Sequence, residues 1–386
     1  MKPLLLPEKD GTLAPYTPTG PAADTSPVPP ARTRTAYAAA HVVADPRHPN
    51  APGTPAHLDW DATLAFRHHL WDQGLGVADA MDTAQRGMGL DPDTVTELIR
   101  RSGAEATARG AALACGVGTD GLHPAHTDLP GVINAYSDQL DLVRTAGATP
   151  ILMASRALAA IATGPDDYTR VYSTLLQRTH TPVILHWLGA VFDPALDGYW
   201  GYTDPADAIE PVAALITDHA DHIDGIKVSL LDADQEIRLR RLLPPRVRLY
   251  TGDDFHYPDL IQGDDHGHSH ALLGVFAAIA PTAARALAAL DAGDTDRYRA
   301  LFDPTVPLAR HLFSAPTPHY KTGIAFLAWL NGHQNGFHMV GGMHAARGLP
   351  HLAETLRLAD TAGILTDPEL ATERMRTLLS VAGVQQ

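Results

Sequence analysis

Eight short apolar runs alternate along this chain with longer stretches of helical periodicity, and that alternation limits the folds open to it. The runs lie at residues 40–43, 77–81, 111–115, 150–153, 183–186, 225–228, 247–250 and 272–277. Between them, helical spacing of apolar residues predicts helices over 62–73, 92–106, 132–146, 167–178, 205–218 and 235–242. Strands that alternate with helices form a parallel sheet, and eight strands are the number that closes a barrel. The predicted fold is therefore α/β, a (β/α)8 TIM barrel with a C-terminal helical extension. An open doubly wound sheet is the competitor, but no glycine-rich dinucleotide fingerprint follows the first strand. The expected organisation is an extended arm over 1–36, rich in Pro, Thr, Gly and Ala, then the barrel over 37–290 and the helical extension over 291–386. An arm of that composition is expected to lie against another surface, such as a partner subunit.

Composition narrows the functional classes. A hydrophobic fraction of 45% and a charged fraction of 19% suit a sizeable core. A formal charge of −15 argues against nucleic acid and anionic membranes as partners. One cysteine, Cys115, fits a reducing cytoplasm rather than a disulfide framework. No apolar run reaches the ~20 residues of a membrane helix, and the opening apolar segment is too short for a signal peptide. The expected localisation is cytoplasmic.

In such a barrel the chemistry sits at the carboxyl ends of the strands. Those positions hold Asp82 and Thr83 after the second strand, Ser155 and Arg156 after the fourth, and His186 on the fifth. Lys227 ends the sixth strand, and Gly252 and Asp253 follow the seventh. The eighth run is entered through Asp264-Asp265-His266-Gly267-His268-Ser269-His270 and contains Leu273. Lys227 is the most pointed of these. Burial disfavours the ammonium form and lowers its pKa, and the neutral amine attacks carbonyl carbons to form Schiff bases. The plainer role is a lysine that reaches the strand end to pair with an aspartate such as Asp224.

Other patterns carry weaker signals. His266, His268 and His270 alternate along an extended segment, so their imidazoles could converge on Zn²⁺, Mn²⁺ or Fe²⁺. A metal-dependent aldolase or sugar isomerase is then the rival function, and a barrel that only binds a metabolite is the non-enzymatic one. Trp187, Phe192, Tyr199, Trp200 and Tyr202 form an aromatic loop after the fifth strand, suited to packing or to covering a pocket. The polar run from Gly332 to His338 interrupts the helical extension and has the make-up of a segment that reaches back to the barrel mouth.

Leu185-His186-Trp187, Gly225-Ile226-Lys227, Thr251-Gly252-Asp253-Asp254 and the run from Leu273 to Pro281 resemble, in order and spacing, the dihydrodipicolinate synthase and N-acetylneuraminate lyase superfamily. The chain is most similar to an actinobacterial dihydrodipicolinate synthase-like branch of unassigned function. The resemblance implies a class I aldolase-type lyase, with Lys227 in the place of the Schiff-base lysine and no cofactor. It puts His186 where the superfamily has a proton-shuttling tyrosine. Asp82 and Thr83 fall where a hydroxyl pair holds the substrate carboxylate, and the usual arginine position falls near Val191. A carboxylate at Asp82 would repel an anionic group, so the implied substrate is a 2-oxo acid or keto-sugar other than the superfamily's best-known ones. The resemblance also implies a homo-oligomer, a dimer or tetramer, acting on a small carbonyl compound. Arg156 or Arg86 is the candidate for binding its anion.

Overall fold

Alanines alternate with large side chains on the inside of the sheet. The computed structural model describes residues 3–386 and contains ten strands. These are β1 (Leu4–Pro7), β2 (Leu13–Tyr16), β3 (Ala36–Ala39), β4 (Gly76–Asp79), β5 (Leu113–Val117), β6 (Thr149–Leu152), β7 (Val183–Leu188), β8 (Ile223–Ser229), β9 (Arg248–Thr251) and β10 (His270–Leu273). Strands β3 to β10 are parallel neighbours in chain order, and β10 pairs with β3 to close the barrel. Alternate residues turn inward. Tyr37, Ala39, Ala78, Ala114, Ile151, Ile184, Tyr250 and Leu272 pack together as the barrel's own core. The larger apolar core lies between the sheet and its helices. The predicted (β/α)8 barrel with a helical C-terminal extension is the fold of this chain.

Short acidic and hydroxyl caps begin the helices and turn the chain after most strands. Asp59, Asp91, Asp128, Ser155, Asp204 and Asp232 each accept a backbone N–H from the first turn of the following helix. Part of the negative charge thus serves helix initiation, worth about 1 kcal/mol per cap. A fully buried ion pair ties the first barrel helix to β4. Arg67 donates to both oxygens of Asp79 at 3.1 and 2.8 Å, and its remaining N–H groups reach the His41 and Thr63 carbonyls. Ser102 completes the acceptor side at 2.6 Å. Arg67→Met leaves the Asp79 carboxylate buried without its cation and is expected to cost about 3–5 kcal/mol. Urea denaturation, compared with an exposed Arg→Met control, measures it.

The arm folds onto this chain's own helices. Strands β1 and β2 form an antiparallel hairpin, with Leu4 and Leu6 fully buried. Asp360, on helix Leu349–Thr361, accepts the Tyr16 hydroxyl at 2.7 Å and the Thr19 and Gly20 N–H groups at 3.0 Å each. The extension itself crosses the barrel mouth. Every residue of helix Tyr320–Leu330 is buried, and Gln334 just beyond it bonds the His41 imidazole at 2.8 Å above β3. The polar run from Gly332 to His338 therefore reaches back to the carboxyl end of the barrel.

Two strand positions differ from expectation. The first strand is β3 at Ala36–Ala39, not 40–43; the latter residues form a buried loop directly after it. An apolar run of four is equally compatible with either. At the other end β10 stops at Leu273, and helix Phe276–Asp291 begins where the sequence pattern extended the strand to 277.

Candidate active site

At the carboxyl end of the barrel the inward residues become polar. His186 on β7 and Lys227 on β8 are register partners, and both are buried. The seven-residue strand β8 carries its lysine to the mouth, past Gly225, whose lack of a side chain leaves room for the Tyr250 ring. Burial pushes the Lys227 ammonium pKa down, while the carboxylates of Asp82 and Asp254 oppose that shift. Asp254 answers in kind. Burial raises its carboxyl to about 7, against the hydrogen bond from Val275 N–H and the attraction of Lys227. The cation acting on it is thus an amine whose own proton is loosened.

His186 is a different group from the proton shuttle its sequence position implies. Burial first, then the charge of Lys227, pushes its pKa well below the ordinary histidine value. It is a neutral imidazole whose Nε2 lies 3.3 Å from the Ser229 hydroxyl and whose Nδ1 is buried without a partner. Such a ring offers a hydrogen bond more readily than it takes up a proton.

Gly252 is shaped by the lysine. A Cβ there would meet the Ser229 hydroxyl and lie 2.7 Å from Lys227 Cε. Gly252→Ala is expected to cost about 1–3 kcal/mol by overpacking and to displace the amine. Thermal melting, with borohydride labelling of Lys227, reads both effects.

Asp82 and Thr83 stand on a tight turn after β4, bracketed by two left-handed residues, Ala80 (φ 51) and Gln85 (φ 63). Thr83 Oγ1 lies 2.7 Å from the hydroxyl of Tyr320. Asp82 forms one wall of a cavity of about 500 Å³ that runs outward past Thr119, Met153, Arg156 and Asp193. Arg156 is half-exposed on that cavity and pairs with Asp193. Arg86 is committed elsewhere: it pairs with Asp120 and donates to the Gly116 carbonyl at 2.6 Å and to Gln139 at 3.0 Å. Ser155 is a helix cap, bonded to Leu158 N–H and to the Thr119 hydroxyl at 2.6 Å. Asp253 accepts the Phe255 and His256 N–H groups and the His256 ring, so it shapes the loop after β9.

Four expected site residues lie elsewhere. Leu273 alternates with the inward Leu272 and packs in the outer core between sheet and helices. His270 begins β10, and a segment that enters a strand lies at the amino end of the barrel, opposite the mouth. There its Nδ1 accepts the Thr35 N–H at 2.8 Å. His268 stands beside it, ring centroids 5.3 Å apart, while His266 is exposed. Burial, aided by Arg34 and Arg240, lowers His268 to about 4; burial, then His268, Arg248 and Arg34, lowers His270 to about 3. A site ringed by arginines is a poor host for a cation. Among the described residues, no group of three or more His, Cys, Asp or Glu is placed to hold a metal ion.

The extension contributes two residues that strand-end reasoning does not reach, Tyr320 and Lys321. Tyr320 stacks on Phe313 at 4.3 Å, meets Phe192 from the loop after β7, and closes the mouth next to Gly274. Tyr199 and Trp200 of that loop pack against Tyr168 and Tyr172, and Trp187 and Tyr202 lie in or against the outer core, so these four are structural. Lys321 is buried among charges at the mouth. Its sequence signal is the one that flags Lys227: it is the sole charged residue of the apolar helix Tyr320–Leu330.

Fold and site together define a (β/α)8 barrel with a buried amine at its mouth, under the influence of the carboxyl groups of Asp82 and Asp254. The chain belongs to the family described as "Protein of unknown function (DUF993)", whose model matches residues 4–384. No curated protein matches the sequence. Among solved structures, the chain is similar to a prophage protein of the dihydrodipicolinic acid synthase family from E. coli K12, solved in complex with pyruvate. The TM-score is 0.66 and the identity 15%, over 86% of this chain and 99% of that one. It is likewise similar to dihydrodipicolinate synthase from Thermotoga maritima, with a TM-score of 0.65 and 15% identity, over 86% of this chain and all of the other. At that identity the shared property is the fold. No helix among the described residues is long and apolar enough to cross a membrane.

Proposed function

We propose that the protein is a Schiff-base-forming lyase that acts on a 2-oxo acid or keto-sugar through Lys227. The observation that carries this reading is a lysine buried at the barrel mouth, register partner of His186, its proton loosened by desolvation against the opposing charges of Asp82 and Asp254. The neutral amine attacks the substrate carbonyl; the carbonyl oxygen leaves as water, and a protonated imine remains. Cleavage of the neighbouring carbon–carbon or carbon–oxygen bond then follows. In retro-aldol cleavage the base takes the proton of the substrate hydroxyl, and the bonding pair flows into the imine to give an enamine. Protonation at carbon and hydrolysis release the product and restore the amine.

Asp254 suits the proton transfers, because an acid near 7 works in both directions at neutral pH. His186, held neutral, hydrogen-bonds rather than titrates, and the Thr83–Tyr320 hydroxyl pair offers a second path for a proton. The similarity to a protein solved with pyruvate supports a 2-oxo acid among the substrates.

Borohydride trapping against a panel of 2-oxo acids and keto-sugars, read by intact mass and peptide mapping, tests the proposal. The expected result is one reduced adduct on Lys227 with a restricted set of carbonyl compounds. An adduct on exposed lysines alone, or none with any compound, overturns it.

A further inference from the structure

Lys321 is a second buried amine at the same mouth, and it is bound less tightly than a structural lysine requires. It opens helix Tyr320–Leu330, where the positive end of the helix dipole disfavours a cation. It is 2% exposed, yet among the described residues its ammonium, with three N–H donors, donates one hydrogen bond, to the Pro318 carbonyl of its own turn at 3.2 Å. That bond joins no two elements of the fold. Its ammonium lies 4.7 Å from the centre of the Tyr320 ring, whose hydroxyl is fixed on Thr83, so the side chain is held at the turn that carries Asp82. The charges acting on it are, in order, Asp82, Arg156, Asp193 and Lys227. Asp82, Arg156 and Asp193 wall the mouth cavity.

We propose that Lys321, with Arg156 on the far wall of the cavity, holds a carboxylate of the substrate while Lys227 engages its carbonyl. This rests on the Schiff-base reading and deepens it: the substrate is a carboxylic acid rather than an uncharged keto-sugar. Arg156, Asp82 and Asp193 wall this space and Lys321 lies behind it, at the Thr83 turn that carries Asp82, so a single negative charge is accommodated where a phosphate dianion meets more repulsion. The same arrangement resolves the presence of Asp82. Its carboxylate compensates the buried Lys321 before substrate arrives.

The test is calorimetric titration of lactate, a carboxylate without a ketone, alongside a comparison of borohydride labelling by pyruvate and by hydroxyacetone. Wild-type protein is expected to bind lactate and to label preferentially with pyruvate. Lys321→Met weakens lactate binding about 10–100-fold, the scale of a lost charge-assisted hydrogen bond, and removes the preference for pyruvate. Lys321→Arg restores part of both. The two readouts in wild-type protein separate this inference from the Schiff-base reading: absent labelling with intact lactate binding overturns only the latter. The inference falls if wild-type protein labels as well with hydroxyacetone as with pyruvate, a result that needs no variant. It also falls if inorganic phosphate competes better than lactate, or if Lys321→Met leaves lactate binding unchanged.

Discussion

Replacement of Lys227 is expected to abolish turnover and to make the protein more stable. The loss of kcat should be at least about 10⁴-fold, as when other covalent nucleophiles are removed, with no borohydride adduct remaining at the mouth. Stability moves the other way because the amine is buried at a desolvation cost that its neighbours only partly offset. Lys227→Met fills the same volume without that cost and is expected to be the more stable protein. Asp254 does not undo the gain near neutral pH. Lys227 is the cation that lowers its pKa, so its removal raises that pKa above about 7 and leaves the carboxyl protonated. The sign of the pH dependence follows. A carboxyl whose pKa is raised on folding stabilises the native state at low pH and loses that contribution as pH rises through the folded value. Denaturant melts of Lys227→Met should therefore show its advantage over wild type at about pH 6 and its erosion at about pH 8. Equal instability at both values would mean that the lysine is a structural partner after all.

Asp254→Asn carries the second largest effect. The amide keeps the shape and can still accept the Val275 N–H, but it neither gives nor takes a proton. A loss of about 10²–10⁴-fold in kcat is expected, the usual worth of a general acid–base. Imine formation responds separately. Asp254 is one of two carboxylates that raise the pKa of Lys227, so its removal loosens the lysine proton further. The pH at which borohydride labelling reaches half its maximum should move down, even as turnover collapses. A variant that loses turnover without that downward shift would place Asp254 away from the amine.

Much of this architecture is legible in the sequence because barrel strands leave a local mark. The runs at 183–186, 225–228 and 247–250 fall on β7, β8 and β9, as buried parallel strands of Val, Ile and Leu should. Errors arise where apolar character and strand geometry part company. Residues 40–43 are as buried as any strand yet form a loop. Leu273 lies in the run expected at the mouth, but a one-residue step along a strand turns a side chain to the opposite face. The histidine run His266-Gly267-His268-Ser269-His270 precedes its strand rather than following it, and that order alone sends it to the far end of the barrel. Asp253 and Asp254 are adjacent and chemically identical, yet one ties down a loop and the other accepts the Val275 N–H and acts on the charge of the amine.

By itself the sequence determined the barrel, the position of Lys227 on its sixth strand and the helical nature of the extension. Each is written in the spacing of neighbouring residues and in the sign and size of single side chains. Tertiary structure alone decided which polar groups share the mouth. Tyr320 and Lys321 reach Thr83 and Asp82 because a fully buried helix crosses the barrel end, and no local pattern encodes that contact. It also decided their protonation. Desolvation depends on what the rest of the chain packs around a group, and it turns His186 neutral, loosens the Lys227 proton and brings Asp254 to about 7.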